Sequence, residues 1–127
     1  MNDSTLTPVA TFSMLLAFVI TQKCKQKNMP LGKFYKETGI SQPSWSRLSR
    51  GQSRFDIEDL KIIEAKTGFK MEPLLSEAKI LEARVQNEGI EIMQPYTTQN
   101  KADLAMVGKA VIAVAVLAFL ATQLARK

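Results

Sequence analysis

Three glycines, Gly39, Gly51 and Gly68, cut the middle of the chain into short segments whose apolar residues recur at helical rather than alternating spacing. Glycine lacks a Cβ and enters the left-handed conformation in which helices commonly end. That punctuation confines the region to short helices packed around a shared core. Thr7, with Pro8 at a first-turn position, opens a helix through the apolar run at residues 9–20 to about Gln26, and Asn28 turns the chain. A second helix over about residues 31–38 stops at Gly39. Ile40 then bridges to Ser41, which caps a third over residues 42–49. Asp56 caps a fourth, with Ile57, Leu60 and Ile63 at core spacing. A fifth covers about residues 72–86, where Leu74, Leu75, Ala78, Leu81 and Val85 share one face. No strand is needed before residues 90–93, whose alternation is weak. Residues 94–101 are polar and contain a proline, which makes them a linker.

Chemistry is bounded by what the chain lacks. Among 127 residues there is no histidine and one cysteine. A Ser/His/Asp triad, a Cys/His dyad, a zinc finger and an intrachain disulfide are therefore excluded. No paired acids sit in an apolar setting, and no glycine-rich phosphate loop is present. The expectation is a protein that is not an enzyme, with no cofactor, no metal and no small-molecule substrate. Met14, Met29 and Met71 read as core filler. Cys24 lies among lysines that could lower its pKa, but a lone cysteine on such a helix is read as packing rather than as a redox sensor.

The charge has an uneven address. The formal net charge is +5, yet residues 23–54 carry eight bases against one acid, or +7, and residues 56–103 carry six against ten, or −4. A basic segment of this kind is either a solvated face or a surface for a polyanion. The residue pattern inside it favours the second.

Residues 31–51, Leu-Gly-Lys-Phe-Tyr-Lys-Glu-Thr-Gly-Ile-Ser-Gln-Pro-Ser-Trp-Ser-Arg-Leu-Ser-Arg-Gly, resemble the helix-turn-helix of the Cro/C1-type (Xre-like) DNA-binding domains. The likeness extends over about residues 12–75: an apolar first helix, the Phe34 core position, the Thr-Gly-Ile-Ser turn, and a fourth helix closing on Thr-Gly. Gly39 permits the tight turn, Ile40 plugs the junction, and Trp45 and Leu48 face inward. The resemblance implies an all-α fold, a five-helix lambda-repressor-like domain at residues 8–86, and a helix 42–49 that enters the major groove. By position in the motif, Gln42, Pro43, Ser44 and Arg47 would meet base edges, Gln42 suiting adenine and Arg47 guanine. Lys33, Ser46, Arg50, Ser53 and Arg54 would hold phosphates. The implied partner is double-stranded DNA, bound by a possible homodimer. Tyr35 departs from the small residue usual at its position, so either the helices cross more widely or the ring slides to the edge. Pro43 stands where the family often has a hydrogen-bonding reader.

Residues 104–124 are apolar apart from Lys109. A 21-residue helix is about 32 Å long, which matches a hydrocarbon core of roughly 30 Å. The reading is a transmembrane helix within residues 102–127, joined to the head by a linker at residues 87–101. Lys109, Arg126 and Lys127 would lie at the membrane interface, in contact with lipid. The head would then face the cytoplasm from a single-pass inner-membrane protein. An oligomerisation helix and a helix covering the domain compete for the same segment. Three functions follow: a membrane-anchored DNA-binding regulator or tether, an integral-membrane protein whose head binds another protein or anionic lipid, and a soluble repressor assembled through its last helix.

Overall fold

Helix α1, Phe12–Gln26, buries Ser13, Met14, Leu15, Leu16, Ala17, Val19, Ile20 and Cys24 in the computed structural model, which describes residues 9–93. Residues 12–20 are buried or half-buried on every side, while Lys25 and Gln26 at its end are exposed, so the remaining elements gather round its first half. They are α2 (Leu31–Thr38), α3 (Gln42–Ser49), α4 (Ile57–Thr67) and α5 (Met71–Asn87). α1 packs mainly on α5 and α3, while α2 packs on α4. Phe34, Trp45, Leu48, Leu60, Ile63, Leu74, Ala78, Leu81 and Val85 complete the core.

Two expectations about the ends of this unit are corrected. Thr7 and Pro8 lie outside the described residues, and α1 starts later than they would place it, at Phe12, with Thr11 as its cap. The Thr11 hydroxyl accepts the Met14 N–H at 3.1 Å, and the Thr11 N–H reaches the Met14 sulfur at 3.4 Å. Residues Val9–Thr11 instead form strand β1, paired in parallel with β2, Glu91–Met93, so that Val9 faces Glu91 and Thr11 faces Met93. The fold is therefore mostly helical with a small two-stranded sheet, not purely helical.

A turn after α5 makes this pairing possible. Gly89 takes φ 89°, a conformation costly for other residues, and the Ile90 N–H returns to the Val85 carbonyl at 3.0 Å. Ile90 is thereby buried in the core. The packed unit consequently runs to Met93, past residue 86 and into the stretch read as linker.

The helix ends that shape the middle of the chain are made twice by the same device. Thr38 donates its hydroxyl to the Phe34 carbonyl at 2.8 Å and accepts the Ile40 N–H at 3.2 Å across Gly39. Thr67 does likewise with Ile63 and Phe69 across Gly68, at 2.6 and 3.1 Å. Each threonine satisfies a backbone donor that the left-handed glycine would otherwise leave free. Asp56 caps α4 as expected, its carboxylate accepting the Asp59 N–H at 2.8 Å. Ile57 is not a core residue: it opens α4 one position after the cap and is 53% exposed.

Among the described residues, no helix is long and apolar enough to cross a membrane. The apolar segment at residues 104–124, with Lys109, Arg126 and Lys127, lies outside the described residues.

Candidate functional site

The sequence of α3 commits one face to the core and releases the other. Trp45 and Leu48 are buried. At about 100° per residue, Pro43, Arg47 and Arg50 then project away from the core, with Ser44 and Ser46 on opposite flanks. Pro43, Arg47 and Arg50 are indeed exposed, and both serines are half-buried. Pro43 costs the helix little in its first turn, where an N–H would have no helical partner.

The face is held in place from behind by aromatic rings. Phe34 and Trp45 meet edge to face with centroids 5.0 Å apart, and Phe55 meets Trp45 in the same manner at 5.8 Å. Tyr35 lies 6.2 Å from both Phe34 and Trp45 and stays half-buried. The Tyr35 ring thus packs beside Phe34 and Trp45 between α2 and α3.

Burial also decides the behaviour of two titratable groups near this cluster. Cys24 is 1% exposed, and burial pushes its thiol above the ordinary value. The neighbouring lysines do not lower it, contrary to what the sequence allowed. Tyr35 is raised as well, chiefly by burial and then by Cys24 beside it.

Around the outer face, hydroxyls and guanidinium groups are linked. The Ser41 hydroxyl accepts the Ser44 N–H at 3.2 Å, which caps α3, and donates to the Ser44 hydroxyl at 3.0 Å. Arg47 donates from one Nη to that same Ser44 oxygen at 3.2 Å. After Ser49 the chain turns at Gly51, with the Gln52 N–H returning to the Arg47 carbonyl at 2.9 Å. That turn aims the loop carrying Ser53 and Arg54 back alongside α3.

The result is a cleft of about 380 Å³ lined by Ser41, Ser44 and Arg47, by Ser53 and Arg54 from the loop, and by Asp59 and Ile62 of α4. Of the residues the sequence nominated, Ser44, Arg47, Ser53 and Arg54 thus share one cleft. Gln42 and Pro43 stand exposed at the start of α3, and Arg50 is exposed on its outer face. Ser46 sits on the flank away from Ser44, and Lys33 is exposed on α2. Sequence reasoning missed Ser41 as a partner of the site and Asp59 as an acid on its rim. The signal for Ser41 was present in the spacing, a cap serine three residues before Ser44, with Arg47 three residues further along α3.

The ion pairs among the described residues are Lys23–Glu77 at 2.7 Å and Lys70–Glu64 at 3.8 Å. Neither involves Lys33, Arg47, Arg50 or Arg54, so among the described residues these four exposed cations make no ion pair. A second, smaller cleft of about 280 Å³ is bordered by Lys23, Lys27 and Lys70 over Phe69. Two of its three lysines are the ones already paired with glutamates. Among the described residues no cluster of histidine, cysteine or acidic side chains is arranged to hold a metal ion. Comparisons with protein-family models, with curated proteins and with solved structures return no match.

Proposed function

We propose that this chain is a membrane-anchored DNA-binding protein, a transcriptional regulator or a DNA tether, whose α3 enters the major groove of duplex DNA. The observation that carries the reading is the outer face of α3. Arg47 and Arg50 are exposed there and in no ion pair among the described residues, on a helix whose other face is fixed by Trp45 and Leu48. A short rigid helix with one basic, hydroxyl-rich face suits groove entry, where guanidinium groups meet guanine edges and phosphates. Gln42, Pro43, Ser44 and Arg47 are the base-side residues of this proposal. Lys33, Ser46, Arg50, Ser53 and Arg54 are the phosphate-side residues. The resemblance of residues 31–51 to Xre-like domains points the same way.

The anchor is the apolar segment at residues 104–124, which would hold the head on the cytoplasmic side of the inner membrane. Binding of duplex DNA by the full-length chain at low salt, compared with the Arg47→Ala/Arg50→Ala double variant, tests the first half. Retained affinity in the double variant, or no binding by the wild type, removes it. Carbonate extraction tests the second half, since recovery of the whole chain in the soluble fraction removes the anchor and leaves a soluble repressor.

A protein-binding head is the second reading, favoured by exposed isoleucines on α4. Ile57 is 53% and Ile62 41% exposed, and Ile62 lines the cleft beside Arg47 and Arg54. Apolar residues rimmed by charge fit a protein surface better than they fit phosphates.

A further inference from the structure

Ser44 occupies a position where a side chain would be expected to read bases, yet its hydroxyl is already engaged on two sides. The oxygen accepts from Ser41 at 3.0 Å and from Arg47 at 3.2 Å, and the side chain is half-buried. Ser41 is itself fixed as the cap of α3. The chain of contacts therefore runs from a helix cap, through one hydroxyl, to a long cationic side chain that would otherwise sample many rotamers. Holding such a side chain in one geometry removes an ordering cost that binding would have to meet.

We infer that Ser41 and Ser44 are positioning residues that preset the Arg47 guanidinium for bidentate recognition of a guanine edge, Ser44 acting through Arg47 rather than on a base. This deepens the DNA-binding reading and rests on it. Bidentate readout depends on the plane and direction of the guanidinium, whereas attraction to phosphates depends mainly on its charge. The two can be separated because replacing Ser44 leaves every charge in place.

The experiment uses the full-length chain and a duplex pool with a randomised central site. The site preferred by the wild type is selected, and affinities for it and for an unrelated duplex are measured over a range of salt. For Ser44→Ala the preference for the selected site falls about tenfold, as loss of one well-oriented bidentate pair implies. The slope of affinity against salt stays unchanged, because no phosphate contact is lost. Ser44→Thr, which keeps the hydroxyl, restores the preference. In the free protein, slowed rotation and exchange of the Arg47 guanidinium protons, seen by nitrogen-15 NMR, are lost in Ser44→Ala and kept in Ser44→Thr. Circular dichroism and thermal melts establish that both variants are folded. No duplex binding by the wild type overturns the DNA reading and this inference together. Wild-type binding without sequence preference, or a preference that Ser44→Ala leaves intact, overturns the inference alone.

Discussion

The Phe55 backbone N–H donates to the Ser13 hydroxyl at 3.0 Å, joining positions 42 apart in the chain. Ser13 is buried at the start of α1, and Phe55 packs its ring on Trp45. One hydroxyl thus ties the central helix to the loop that carries Ser53 and Arg54. Ser13→Ala leaves a half-buried N–H without its acceptor, at a cost of about 1–3 kcal/mol. Urea unfolding of the full-length chain should show that loss, with Ser76→Ala on the exposed side of α5 changing stability by less than about 0.5 kcal/mol. Equal stability of the two variants would contradict the role given to Ser13.

The strand that follows α5 belongs to the folded unit, which makes Ile90 a core residue. Ile90→Ala should destabilise the protein by about 2–5 kcal/mol, as for other large aliphatic side chains removed from a core. A chain ending at Gln86, which lacks both Ile90 and β2, should melt lower still. Unchanged melting of that shortened chain would mean that residues 87–93 contribute nothing to the fold.

Cys24 gives a pH dependence with a defined sign. Burial raises its pKa in the folded state, so the folded protein holds the thiol proton more tightly than the unfolded chain does. Stability from this group is complete below the unfolded pKa and is lost as pH rises through the folded one. Tyr35, raised in the same direction, adds to the loss at higher pH. The unfolding free energy should therefore decline on the alkaline side of about pH 9, and Cys24→Ala should flatten the first part of the decline. In the native state at pH 8 the thiol should react with an aromatic disulfide reagent far more slowly than in denaturant. Fast native labelling would show that Cys24 is accessible.

Much of this architecture is written in local residue chemistry, and the parts that are not have a common cause. Ser41 and Asp56 cap the helices that their side chains predict, and Trp45 and Leu48 face inward as their spacing requires. Gly39 and Gly68 end helices in the left-handed conformation. Val9, Ala10 and Thr11, by contrast, are all buried, so they show no alternation that would separate a strand from the helix they lead into. Their partner, Glu91–Met93, lies about 80 residues away, and a parallel pairing across that distance leaves no mark in either segment. Ile57 has core spacing but sits where α4 has not yet reached the core. In the site, the exposed cations on α3 were legible from helical periodicity, whereas the hydrogen bonds that turn Ser44 towards Arg47 depend on side-chain conformation. Tyr35 announced an unusual position between α2 and α3, and its ring lies beside Trp45 while staying half-buried.

The most direct test of the proposed interface is a residue-resolved titration of the nitrogen-15 labelled, full-length chain with duplex DNA. The expected result is that backbone and side-chain signals of residues 42–54 and of Lys33 shift, while those of α5 and of Ile90 stay in place. Shifts confined to α4 and α5, or no shifts at low salt, would contradict the placement of α3 in the major groove.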